Sequence, residues 1–65
     1  MKSVDVRYKG IDFTVVGNWR DDMLEDYYIH IGETEVFNVL SDKVIEAIID
    51  IAEDQIREEL KGGLI

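Results

Sequence analysis

Residues 41–61, SDKVIEAIIDIAEDQIREELK, constrain this chain more than any other stretch, because they read as one long amphipathic helix. Ser41 suits the N-cap, where its hydroxyl can accept from a free backbone N–H of the first turn. Asp42 follows, where the positive end of the helix dipole favours an anion. No Pro or Gly interrupts residues 42–61, and Gly62 and Gly63 are predicted to end the helix in a left-handed conformation. Stepping about 100° per residue gathers Val44, Ile45, Ile48, Ile49, Ile51, Ala52, Ile56 and Leu60 on one half of the cylinder. That arc is wider than the ~100° stripe of a simple surface helix. It either covers a sheet with generous flanks or keeps part of itself for a second chain.

The other half of the helix is acidic. Glu46, Asp50, Asp54 and Glu58 follow one another at a spacing of four, with Glu53 beside them. Like charges at that spacing cost a few tenths of a kcal/mol per pair. Arg57, four after Glu53, and Lys61, three after Glu58, offer partial relief. The row is either a solvated face that keeps the chain in solution or a surface that meets something basic.

Charge decides which partners are plausible. The chain carries 15 acids against 7 bases, a net of −8, and the imbalance lies after residue 19. Phosphates must be met by Lys and Arg, so neither direct nucleic-acid binding nor attachment to an anionic membrane is expected. A basic protein surface is the natural complement. Sixty-five residues make a single domain, spanning residues 1–65, and bury only ~60% of their unfolded surface. With no Cys there is no disulfide staple and no thiolate metal site, which raises the expectation of a homodimer, formed by the apolar helix flank or by a free strand edge. No signal peptide and no apolar run of ~20 residues occurs, so the expected compartment is the cytoplasm.

Before the helix the period changes to two. Val4, Val6 and Tyr8 alternate with polar residues, then Ile11, Phe13 and Val15 do the same after Lys9-Gly10. Strands over residues 3–9 and 11–17 joined as a hairpin are predicted. Residues 19–25, WRDDMLE, have no clear period and read as an acidic loop with at most one helical turn. A third strand is predicted over residues 26–32, with Tyr27, Ile29 and Ile31 on one face and Tyr28 and His30 on the other. Residues 35–38 are read as a short fourth strand, with an extended arm beneath the helix as the alternative. The expected fold is α+β in two layers: an antiparallel meander of three to four strands packed on a C-terminal helix over residues 42–61.

The residues speak against an enzyme. His30 is the only histidine, on the strand face away from the core, and Ser3 and Ser41 have no base nearby in sequence. Neither GxGxxG nor GxxxxGK[ST] occurs, and no cofactor is expected. Asp21, Asp22, Glu25 and Asp26 are the densest carboxylates, but they lack the spacing of a Ca²⁺ loop and read as solvated. Trp19 either closes one end of the core beneath the helix or joins Tyr28 in an aromatic patch ringed by Asp and Glu. Trp and Tyr are frequent anchors at protein interfaces. The expected partner-binding residues are therefore Trp19, Asp21, Asp22, Tyr28, Glu46, Asp50, Asp54 and Glu58.

The hairpin VRYKGIDFTVVG, the strand and turn YYIHIGETEVFNVLS and the acidic helix KVIEAIIDIAEDQIREEL together resemble small phage-encoded proteins of unknown function. The resemblance is one of layout over nearly the whole chain, and the central loop here is shorter and more acidic than in that class. It implies a phage or prophage accessory protein and brings no site residues with it. The expected function is thus a non-enzymatic acidic protein that binds a basic protein partner. The alternatives are a nucleic-acid mimic that inhibits a DNA- or RNA-binding protein, since a spacing of four on a helix is ~6 Å, and a virion or assembly component.

Overall fold

A computed structural model describes residues 1–62. Its sheet has four antiparallel strands in the order of the sequence, β1 Lys2–Tyr8, β2 Ile11–Arg20, β3 Met23–Ile31 and β4 Thr34–Glu35. One helix, α1, covers one face of that sheet from Asp42 to Gly62. The two-layer α+β architecture expected from the sequence is the one observed, with longer second and third strands.

The connections explain that extra length. Lys9 and Gly10 both take positive φ (51° and 79°), the pattern of the type I′ turn whose twist matches a tight hairpin. Asp21 and Asp22 do the same (53° and 62°), so residues 19–25 form strand, turn and strand and not the expected loop. Asp tolerates the left-handed region better than most residues because its short carboxylate can bond locally. Here Asp-Asp stands where Asn-Gly is the usual signal. The predicted strands over 11–17 and 26–32 are accordingly corrected to Ile11–Arg20 and Met23–Ile31.

A β-bulge hides the alternation. Val16 pairs with Tyr28 and Asn18 with Glu25, so β2 spends one residue, Gly17, where β3 spends two, Asp26 and Tyr27. Asp26 takes φ 50°, the left-handed conformation that the first residue of a bulge often needs. The extra residue switches which parity faces the helix. Tyr27 and Ile29 face inward on one side of the bulge, and Leu24 faces inward on the other. Gly17 is buried at this point, where a Cβ would lie 2.9 Å from Tyr27 Cβ and 3.2 Å from the Glu25 carbonyl oxygen.

The fourth strand is shorter than predicted. It holds only Thr34–Glu35, and Phe37–Val39 then makes a single 3₁₀ turn in place of strand over 35–38. Val36, Phe37 and Leu40 have no period of two, and a helical turn brings all three toward the core as an extended chain could not. The Val36 N–H still donates to the Ile29 carbonyl at 2.9 Å, and Phe37 meets Tyr27 edge to face at 5.8 Å.

At the start of α1 the Ser41 hydroxyl accepts from the Val44 N–H at 3.3 Å, the predicted cap. At the other end Gly62 lies inside the helix, and Gly63 lies outside the described residues. Ile45, Ile48, Ile49, Ala52 and Ile56 bury against Val6, Phe13, Val15, Leu24 and Ile29. Val44 and Ile51 are half-buried and Leu60 is exposed, so only the middle of the predicted apolar arc is core. No helix among the described residues is long and apolar enough to cross a membrane.

Candidate functional site

The acidic row lies where helical spacing places it. Glu46, Asp50, Asp54 and Glu58 are all exposed on α1. They are not equivalent. Asp54 accepts from Arg57 Nη1 at 3.1 Å, whereas Glu46, Asp50 and Glu58 form no ion pair among the described residues. Glu46 and Asp50 also border an open groove of about 440 Å³ between α1 and β3. Glu53 joins them on the helix side, Ile49 and Leu24 lie deep in it, and Met23 and Tyr27 come from β3. The groove therefore carries carboxylates along its helix side and apolar residues on its floor, where Ile49 lies, and on its strand side.

One end of the groove is held by a lock between the two layers. Leu24 lies outside the β2 ladder bonds, and its N–H donates at 2.9 Å to Glu53 Oε2. Arg57 Nη2 donates at 2.8 Å to the Asp22 carbonyl oxygen, and the guanidinium sits 5.9 Å from the centre of the Trp19 ring. Arg57 also lies 4.0 Å from Glu53. The Glu53 side chain is only 13% exposed, so its bond to Leu24 is largely shielded from water. Glu53→Ala would leave that N–H with no protein partner and is expected to cost about 1–3 kcal/mol. Glu53→Gln keeps an acceptor oxygen and should retain most of it. Urea titration of the two variants tests this, and equal midpoints for both would show that the bond contributes nothing.

The eight residues expected to bind a partner do not form one surface. Glu46 and Asp50 join the groove, while Asp54 and Asp22 meet through Arg57, Asp22 by its backbone only. Asp21 lies exposed in the hairpin turn, 4.0 Å from Arg20, and Glu58 has no ion-pair partner among the described residues. Trp19 packs against the core on the helix side of the sheet. Tyr28, opposite Val16 on the uncovered face, is 52% exposed. The Trp19–Tyr28 patch is therefore corrected: the sheet lies between the two rings. On the uncovered face Thr14 donates to Asp5 at 3.0 Å and stands opposite His30, which in turn stands opposite Glu35. Among the described residues no group of three or more His, Asp or Glu is placed to hold a metal ion.

Sequence reasoning missed Met23, Leu24, Tyr27, Ile49 and Glu53 as groove residues. The spacing of Glu53 and Arg57 was visible, but their target was not, because the bulge that swings Leu24 inward breaks the period of two. Compared with known proteins, the chain matches no family model, no curated protein and no solved structure.

Proposed function

We propose that the protein is a small non-enzymatic interaction module that binds a basic, partly apolar segment of another protein in the groove between α1 and β3. The observation that carries this reading is the junction of unpaired carboxylates, Glu46 and Asp50, with an apolar wall of Met23, Leu24, Tyr27 and Ile49. Charge steers a basic partner and the apolar wall retains it. Resemblance to small phage proteins supports an accessory role in the cytoplasm of a host cell. The net charge of −8 argues against nucleic acid or an anionic membrane as the direct ligand.

A second reading is favoured by one observation, the row of carboxylates at a spacing of four, a repeat of ~6 Å. A mimic of nucleic acid would use that row alone. The Asp54–Arg57 pair interrupts it, which favours the groove.

The test is fluorescence titration with two synthetic peptides of equal positive charge, one carrying Leu and Phe between its Lys and Arg residues and one carrying Ser there. The groove reading expects the apolar peptide to bind at least about tenfold more tightly, a difference of ~1.4 kcal/mol. It also expects affinity to fall with salt, since exposed charges are screened within ~8–10 Å. Equal binding of both peptides would favour the mimic, and binding of neither would remove both readings. In the quadruple variant with Glu46 and Glu58 changed to Gln and Asp50 and Asp54 to Asn, peptide affinity should fall. Its thermal stability should rise, by a few tenths of a kcal/mol for each like-charge pair relieved.

A further inference from the structure

The sheet has one open edge. Among the described residues β1 has β2 on one side and no strand on the other. Tyr8 and Ile11 flank a two-residue turn, so they form a hydrogen-bonded pair, and Lys2, Val4, Val6 and Tyr8 turn their backbone groups toward β2. Ser3, Asp5 and Arg7 therefore turn theirs outward. Among the described residues none of those outward groups bonds to another part of the chain. The opposite edge is different. There β3 is covered at one end by β4, broken by the bulge at Asp26 and met by Glu53. β1 is seven residues long, pairs with β2 in unbroken register, and has no Pro and no bulge. Such a row of free N–H and C=O groups is a template for pairing with another chain, even though Lys2, Asp5 and Arg7 stand on the strand.

We infer that β1 pairs with β1 of a second copy, antiparallel about a two-fold axis at Val6, so that two four-stranded sheets become one. The side chains select this register. With Val6 opposite Val6, Asp5 of each copy stands opposite Arg7 of the other, and Val4 stands opposite Tyr8. A register shifted one way places Asp5 against Asp5, and one shifted the other way places Arg7 against Arg7. Like charges directly opposite one another are destabilising, and opposite charges are favourable. In the Val6-centred register each charge gains an opposite one across the seam, in addition to the Thr14 bond to Asp5 and the Arg7–Asp12 pair at 4.0 Å within each copy. The paired residues Asp5 and Arg7 also exchange their outward backbone hydrogen bonds.

The helix gives a second, independent support. Lys2 Nζ lies 3.8 Å from Glu59, and Ile49 and Glu53 turn one flank of α1 toward the β3 residues of the groove. Val44, Ile51 and Gln55 lie on the opposite flank, about 120–180° round the helix from Ile49 and Glu53. Val44 and Ile51 are the half-buried residues of the apolar arc, and in the dimer this flank faces its two-fold mate. Glu46, Asp50 and Asp54 lie on the far side, so the dimer stands or falls independently of the groove.

Sedimentation of charge-swapped variants tests the register. The wild-type chain should sediment as a dimer at micromolar concentration. Asp5→Arg alone sets Arg against Arg7, and Arg7→Asp alone sets Asp against Asp5, so each should sediment as a monomer. The double variant restores both opposite-charge pairs and should recover the dimer. Asp5 and Arg7 are exposed, so the swaps should leave the fold intact, and circular dichroism is the check that each variant is folded. A second measurement needs no mutation. The amide protons of Asp5 and Arg7 should exchange more slowly as protein concentration rises, because only the dimer gives them acceptors. A monomeric wild type, single swaps that remain dimeric, a double swap that stays monomeric, or concentration-independent exchange would each overturn the inference.

Discussion

Ile48→Asp is expected to leave the chain without a cooperative melting transition at 25 °C. Ile48 is fully buried at the middle of the inner face of α1, with Ile45, Ile49 and Ala52 around it and the sheet residues Val6, Val15 and Ile29 beneath. Losing the isoleucine removes about 1.5–3 kcal/mol of apolar burial. An unpaired carboxylate at the same place adds a desolvation cost of several kcal/mol more, because no buried polar group is at hand to bond it. A domain this small, without staples, has only about 3–5 kcal/mol of stability to lose. Ile48→Val, which removes one methylene, is the control and should cost about 0.5–1.5 kcal/mol. Thermal melts followed by circular dichroism separate the two. A cooperative Ile48→Asp transition within a few degrees of wild type would mean that α1 does not pack on this face.

Gly17→Ala is the second large effect, and it comes from backbone proximity. The added Cβ would lie 2.9 Å from Tyr27 Cβ, 3.1 Å from Tyr27 Cα and 3.2 Å from the Glu25 carbonyl oxygen. Two of those three atoms are backbone and the third is fixed to it, so no rotamer change relieves the contact. The sheet must open at the bulge, which is expected to cost about 1–3 kcal/mol, and Gly17→Val more. For a chain of 65 residues this should lower the Tm by roughly 5–20 °C, at about 4–8 °C per kcal/mol. Gly10→Ala provides a contrast: a Cβ there meets nothing within 4 Å, so only the left-handed backbone opposes it. If Gly17→Ala melts with the wild type, β2 and β3 do not approach as closely as described.

Much of this architecture was legible before the structure, for definite reasons. The α1 periodicity runs unbroken over five turns, Ser41 caps it as predicted, and the alternation around Lys9-Gly10 marks the first hairpin plainly. The second hairpin was not legible because two features mask it. Its turn is Asp21-Asp22, which lacks the Gly that signals a left-handed turn, and its bulge at Asp26 interrupts the alternation four residues later. Residues 35–38 misled in the opposite direction, since β-branched and aromatic residues suggested strand where the chain makes a 3₁₀ turn to bury Val36. The candidate site was legible in part. The carboxylates at spacing four are exposed as expected. The apolar wall that turns two of them into a groove depends on which way Leu24 and Tyr27 face, and that follows from the bulge.

The bond from Leu24 to Glu53 gives the two layers a shared clock. Amide protons inside the β-ladder exchange with solvent only when strands separate, and those in α1 only when the helix unwinds. The Leu24 proton belongs to the sheet but is shielded by a helix side chain 29 residues away. It can therefore exchange while every strand stays paired and every helical turn stays wound, provided α1 lifts from β3. Its exchange rate isolates the parting of the layers from the melting of either one.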